Sequence, residues 1–204
     1  MRTIGVLGLI GALAIGAAIA LTPASEAAIT NSSHDFSGKS WTTDSQICVP
    51  CHTPHGADTT VTDAPLWNHT AATATFTLYS SATLNASLGQ PTGISKLCLS
   101  CHDGTIGMDG FGGAAGTSGN VITGSAKIGI DLNGHHPVSF DYSDAQADDS
   151  ELKASPTLPL FGTGGTLECA SCHDVHNGTA AAANGKMLLK SLTNSALCLD
   201  CHDK

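Results

Sequence analysis

The chain has 204 residues, 8 Lys and Arg against 17 Asp and Glu, 12% charged residues and 4% aromatics. That acidic balance offers no electrostatic footprint for nucleic acid and no basic patch for an anionic membrane surface. Few aromatics and 23 glycines argue against a densely packed apolar core, and what remains abundant is 8 Cys and 10 His.

The N-terminus carries one positive charge at Arg2, an apolar run from Ile4 to Leu21, and the small, helix-breaking stretch Thr22-Pro23-Ala24-Ser25-Glu26-Ala27-Ala28. This order describes a secretory signal peptide over residues 1–28. A retained anchor is the weaker reading, because Gly and Ala fill much of the run and no positive stop signal follows Leu21. The expected mature chain, residues 29–204, is exported and has no integral membrane span. His34 then lies near its start, where a chain is loose unless something ties it down. A metal bond would do so, to an iron of this subunit or of another.

Next comes Cys48-Val49-Pro50-Cys51-His52, the first of four CxxCH motifs. This spacing is the attachment signature of c-type haem. Two thiols three positions apart reach the two vinyl groups on one porphyrin edge, and the following His takes an axial position on iron. Structural zinc also uses CxxC pairs, and an exported CxxC can form a disulfide or a redox dithiol. Neither demands a His directly after every second Cys. His55 follows three residues beyond His52, on the same side of that porphyrin, so it would serve a neighbouring haem and draw two porphyrins together. His69, in Pro65-Leu66-Trp67-Asn68-His69, stands in a stiff, extended context that can aim an imidazole.

Thr75–Ser80, β-branched and aromatic, predicts a short strand. Thr92–His102 predicts a helix that ends in the second motif, Cys98-Leu99-Ser100-Cys101-His102. The glycine-rich Gly104–Gly124 predicts a loop. His135 and His136 follow as a doublet, with Pro137 stiffening the second; His135 is the weaker ligand candidate. The acidic run Asp141–Glu151 predicts a solvated loop rather than a metal site. The third motif is Cys169-Ala170-Ser171-Cys172-His173, and His176 repeats the position of His55. Asn177–Gly185 predicts a loop. Lys186–His202 predicts a helix that carries the fourth motif, Cys198-Leu199-Asp200-Cys201-His202.

Four haem c groups are therefore expected, with iron ligands His52, His102, His173 and His202 from the motifs. Distal partners come from His34, His55, His69, His136 and His176. The fold class expected is mostly irregular coil with a few short helices and minimal strand, organised by haem, since eight thioethers staple a chain that buries little else. Two similar two-haem halves, about 29–125 and 126–204, each open on CHxxH and close on Leu-Cys-Leu-x-Cys-His-Asp, which reads as an internal duplication.

Ser33-His34-Asp35-Phe36-Ser37-Gly38, Cys51-His52-Thr53-Pro54-His55, Pro65-Leu66-Trp67-Asn68-His69, His136-Pro137-Val138-Ser139-Phe140 and Cys172-His173-Asp174-Val175-His176 resemble the multihaem c-type cytochromes exported by metal-reducing bacteria. Four haems on a chain of this size also resemble the filament-forming tetrahaem cytochromes of the OmcE type. The resemblance implies bis-histidine haems in a continuous chain. In filament formers it also implies a His that ligates a haem of the adjacent subunit, for which His34 is the candidate by its terminal position. The doublet His135-His136 departs from the pattern and leaves one ligand assignment open.

Two imidazoles per iron leave no position for a substrate, so electron transfer without catalysis is the expected function. The resemblance points to a secreted homopolymer, an extracellular conductive filament. Its partners would be redox proteins or extracellular acceptors such as metal oxides. The alternatives are a soluble periplasmic electron shuttle and a multihaem reductase of a small oxidised substrate.

Overall fold

A computed structural model describes residues 29–176 and 186–203; the expected signal peptide, the Asn177–Gly185 loop and Lys204 lie outside them. Regular structure is sparse. Among the described residues three short helices, α1 (Gly93–His102), α2 (Tyr142–Asp148) and α3 (Cys169–Cys172), are joined by coil, single 3-10 turns and one two-stranded ribbon. The ribbon pairs β1 (Phe140–Asp141) antiparallel with β2 (Thr166–Leu167), Phe140 opposite Leu167. The expected fold class, mostly coil with a few short helices and minimal strand, is what forms.

Helix α1 falls where the apolar spacing predicts, and it buries Leu97 and Leu99 together with the small Gly93, Ser95 and Ser100. Small residues on that face let another segment approach closely, and α3 packs there. The acidic run is not wholly loop. Asp141 caps α2 by accepting hydrogen bonds from the Ser143 and Asp144 amides, which satisfies donors that a helix start leaves orphaned. Thr75–Ser80 forms no extended strand: only Thr77 bridges, in parallel, to Asp131. Lys186–His202 is not one helix either. Asn194 and Ser195 take left-handed backbone angles, φ 52° and 57°, so the segment breaks into the 3-10 turns Thr193–Ser195 and Cys198–Asp200.

Apolar burial is divided among three small clusters rather than one core. Phe140, Tyr142, Ala145, Leu158, Leu167 and Cys201 form the first, Ala72, Phe76, Leu99 and Leu132 the second, and Val61, Trp67 and Leu97 the third. Cys201 belongs to the first, and partly buried Cys51 packs against the third. The apolar patches therefore gather around the attachment motifs. Among the described residues no helix is long and apolar enough to cross a membrane.

Candidate cofactor-binding site

Each motif folds as about one helical turn. The His amide donates to the carbonyl of the first Cys in the first, third and fourth motifs, at 2.8, 3.0 and 2.9 Å, and the second motif lies inside α1. Positions i, i+3 and i+4 share one face of a helix, so both thiols and the imidazole of each motif address the same side. None of the eight cysteines is in a disulfide. Burial pushes the Cys51 and Cys172 thiols up to about 11 and Cys101 up to about 12. The Cys169 thiol runs the other way, held below its ordinary value by the neighbouring Cys98.

The imidazoles are fixed by their second nitrogen. Nδ1 of His52 donates to the Pro65 carbonyl at 2.7 Å, that of His102 to the Ala126 carbonyl at 2.7 Å, and that of His173 to the Lys186 carbonyl at 2.8 Å. A carbonyl can only accept, so the proton sits on Nδ1 and Nε2 keeps its lone pair for a metal.

Two of these clamps are built alike. After His52, the Thr53 amide donates to Leu66 O, the Asn68 amide to Cys51 O, and His52 bridges to Trp67. After His173, the Asp174 amide donates to Met187 O, the Leu189 amide to Cys172 O, and His173 bridges to Leu188. Leu66 and Met187, which occupy matching places, both have left-handed backbones, φ 54° and 57°. That strained turn aims the preceding carbonyl at the imidazole. The segments Pro65–Asn68 and Lys186–Leu189 differ at every matching position, so the clamp has no residue signature.

Three of the four motif imidazoles face another imidazole. His52 and His176 stack with ring centroids 6.0 Å apart, His34 and His102 stand 6.0 Å apart, and His136 and His202 6.4 Å apart. His176 thus stands opposite the imidazole of a different motif, not its own. His34 stands against His102 of its own chain. Its Nδ1 is buried with no hydrogen-bond partner. Burial, then the nearby His102, His176 and His173, lower its pKa to about 4, which keeps the ring neutral.

The remaining histidines are placed differently. Buried His69 turns Nδ1 toward the Thr70 carbonyl at 2.9 Å and Nε2 toward the Gly107 carbonyl at 3.0 Å, and the ring beside it is Trp67. It is not brought against a motif imidazole. Gly107 reaches it because the chain there runs against Thr117, whose carbonyl oxygen would lie 2.4 Å from any added Cβ. His55 and His135 are exposed. Among the described residues no ring is opposed to His55, His135 or His173.

The residues fit haem. Two imidazoles on opposite sides of one metal, with bonds of about 2 Å and ring centres about 1 Å further out, have centroids about 6 Å apart. All three pairs match that separation. Among the described residues no group of three or more His, Cys, Asp or Glu could hold a metal ion. A metal held between such a pair would take its equatorial donors from a porphyrin, and the thiols that would bind the porphyrin edge lie on the same turn as the motif imidazole.

No family model matches the chain. Over 60 residues it is 38% identical to the C-type cytochrome OmcS of Geobacter sulfurreducens, a match covering 25% of this chain and 14% of that protein. The chain thus spans a small part of that relative's length.

Proposed function

We propose that this protein transfers electrons through four covalently bound haem c groups. Cys48 and Cys51, Cys98 and Cys101, Cys169 and Cys172, and Cys198 and Cys201 would hold them as thioethers. His52 with His176, His102 with His34, and His202 with His136 would close both axial positions of three irons. When bound, haem iron supplies a one-electron ferric–ferrous couple, and imidazole on both sides favours the ferric state relative to Met ligation. The protein's own contribution is to fix the His52, His102 and His173 imidazoles by their Nδ1 hydrogen bonds, to exclude substrate from the axial positions and to set the haems in sequence. The observation that carries this reading is the set of three imidazole pairs at 6.0, 6.0 and 6.4 Å. Similarity to a c-type cytochrome over 60 residues supports it independently.

The same reading extends to assembly. His173 has its Nδ1 anchored yet faces no ring among the described residues, while His55 is exposed. His55 is the counterpart of His176, which faces the imidazole of another motif. We therefore read His55 of a second copy as the partner of His173, which makes the protein a subunit of an extracellular conductive filament and not an enzyme. The acceptors would be redox proteins or metal oxides outside the cell. Electron microscopy of secreted material tests this: filaments that His55→Ala abolishes would support it, and a monodisperse protein with four six-coordinate haems would leave a soluble shuttle. Carbon monoxide binding by the reduced wild-type protein would support a reductase instead.

A further inference from the structure

Glu168 is 3% exposed and has no place in the scheme above. Its Oε2 accepts hydrogen bonds from the Ser95 amide at 3.0 Å, from the Ser139 hydroxyl at 3.1 Å, and from the Ser95 hydroxyl. Its Oε1 lies against Gly93, where an added Cβ would come within 2.8 Å. All three donors are neutral. The lysine ion pair of the described residues goes to Asp200, and Lys96, on the same helix as Ser95, acts on Asp58. The carboxylate is thus satisfied by hydrogen bonds and, among the described residues, has no ion-pair partner.

Its position joins two attachment sites. Glu168 precedes Cys169, and its partner Ser95 stands three residues before Cys98 in α1. The Ser95 hydroxyl, which donates to Glu168, accepts from the Cys169 amide at 2.9 Å, and the Cys98 and Cys169 side chains are close enough to act on each other electrostatically. The edges through which the second and third haems would be attached therefore meet beside one buried carboxylate. In a low-dielectric setting such a charge acts strongly on its neighbours and weakly on groups farther away.

We propose that Glu168 is a positioning residue that lowers the reduction potentials of the haems attached through Cys98 and Cys169, setting the step by which electrons pass between the two halves of the chain. This rests on the electron-transfer reading. A fixed negative charge stabilises the ferric iron over the ferrous, and its removal favours reduction.

The test is a spectroelectrochemical titration of the full holoprotein, with haem content per chain measured first. Glu168→Gln keeps shape and acceptor, and should raise two of the four midpoint potentials. Glu168→Asp keeps the charge and should leave those two close to wild type. Asp44→Asn, the same charge change at an exposed site, should move none. If Glu168→Gln shifts no potential, or shifts all four equally, the proposal is overturned while a full haem content leaves the parent reading intact. A wild-type chain without haem would overturn the parent reading itself. Should Glu168→Gln fail to accumulate, Ser139→Ala, which removes one donor to the carboxylate, should lower the same two potentials; no change there would equally overturn the proposal.

Discussion

Asp200, between the two cysteines of the fourth motif, allows a worked prediction. It is 8% exposed. Its Oδ2 accepts the Thr157 and Leu158 amides at 2.8 and 2.7 Å, and its Oδ1 accepts the Thr157 hydroxyl at 2.6 Å and the Lys190 ammonium. Burial alone would raise this carboxyl, but Lys190, the Thr157 hydroxyl and the Leu158 amide outweigh it and hold it down to about 2. One side chain therefore ties an otherwise irregular loop to the last attachment turn. Hydrogen bonds to a charged acceptor contribute about 1.5–3 kcal/mol each and are not additive. Lys190 is 35% exposed, so its ammonium returns to water and recovers much of what it loses. Asp200→Asn keeps an oxygen for the two amides and loses the ion pair, for about 1.5–2 kcal/mol. Asp200→Ala strands two amides and should cost about 3–4 kcal/mol. Urea unfolding of the holoprotein measures the totals, and amide exchange at Thr157 and Leu158 localises them, with tenfold faster exchange for about every 1.4 kcal/mol. Equal losses for the two variants, or losses below about 0.5 kcal/mol for both, would refute the reasoning.

His176→Ala should leave four haems per chain but convert one from six-coordinate to open, so that the reduced variant binds carbon monoxide at one site in four; a spectrum indistinguishable from wild type would deny the His52–His176 pairing. Gly107→Ala should destabilise by about 1–3 kcal/mol, because the new methyl meets the Thr117 carbonyl, and the exchange of the Thr117 amide reports it. Hydrogen bonds from the Ser143 hydroxyl and the Asp144 and Ser143 amides lower the Asp141 carboxyl below its ordinary 3.8. Its cap on α2 is therefore complete above that pH and is lost as pH falls through the depressed value. Exchange at the Ser143 and Asp144 amides should accelerate only in that acid range, and Asp141→Ala should remove the dependence.

Short-range spacing carried most of what could be read beforehand. Cys–x–x–Cys–His encodes its own turn, so thiols and imidazole share a face wherever the motif stands. The position of His176 forbids its own iron, and the fold sets it opposite His52. Helix α1 was legible as a helix, but that its two leucines, set on different faces, pack into separate clusters was not. What stayed hidden depends on tertiary contacts. The Pro65 and Lys186 carbonyls are backbone atoms and carry no residue signature. Glu168 looks like one acid among many until Ser95 and Ser139, distant in sequence, close over it. Lys186–His202 has leucines at helical spacing, yet Leu188 bridges to His173 and the left-handed Asn194 and Ser195 interrupt the turn. His69 shared an extended, proline-flanked context with His136, but only His136 reaches a motif imidazole.

Electron transfer through this chain requires four tetrapyrroles bonded to it. Measuring pyridine haemochrome absorbance against polypeptide concentration in the purified mature protein tests it most directly. Four haems per chain are predicted, falling to three when Cys198 and Cys201 are both replaced by Ala. A colourless protein, or a ratio that this replacement does not change, would contradict the account.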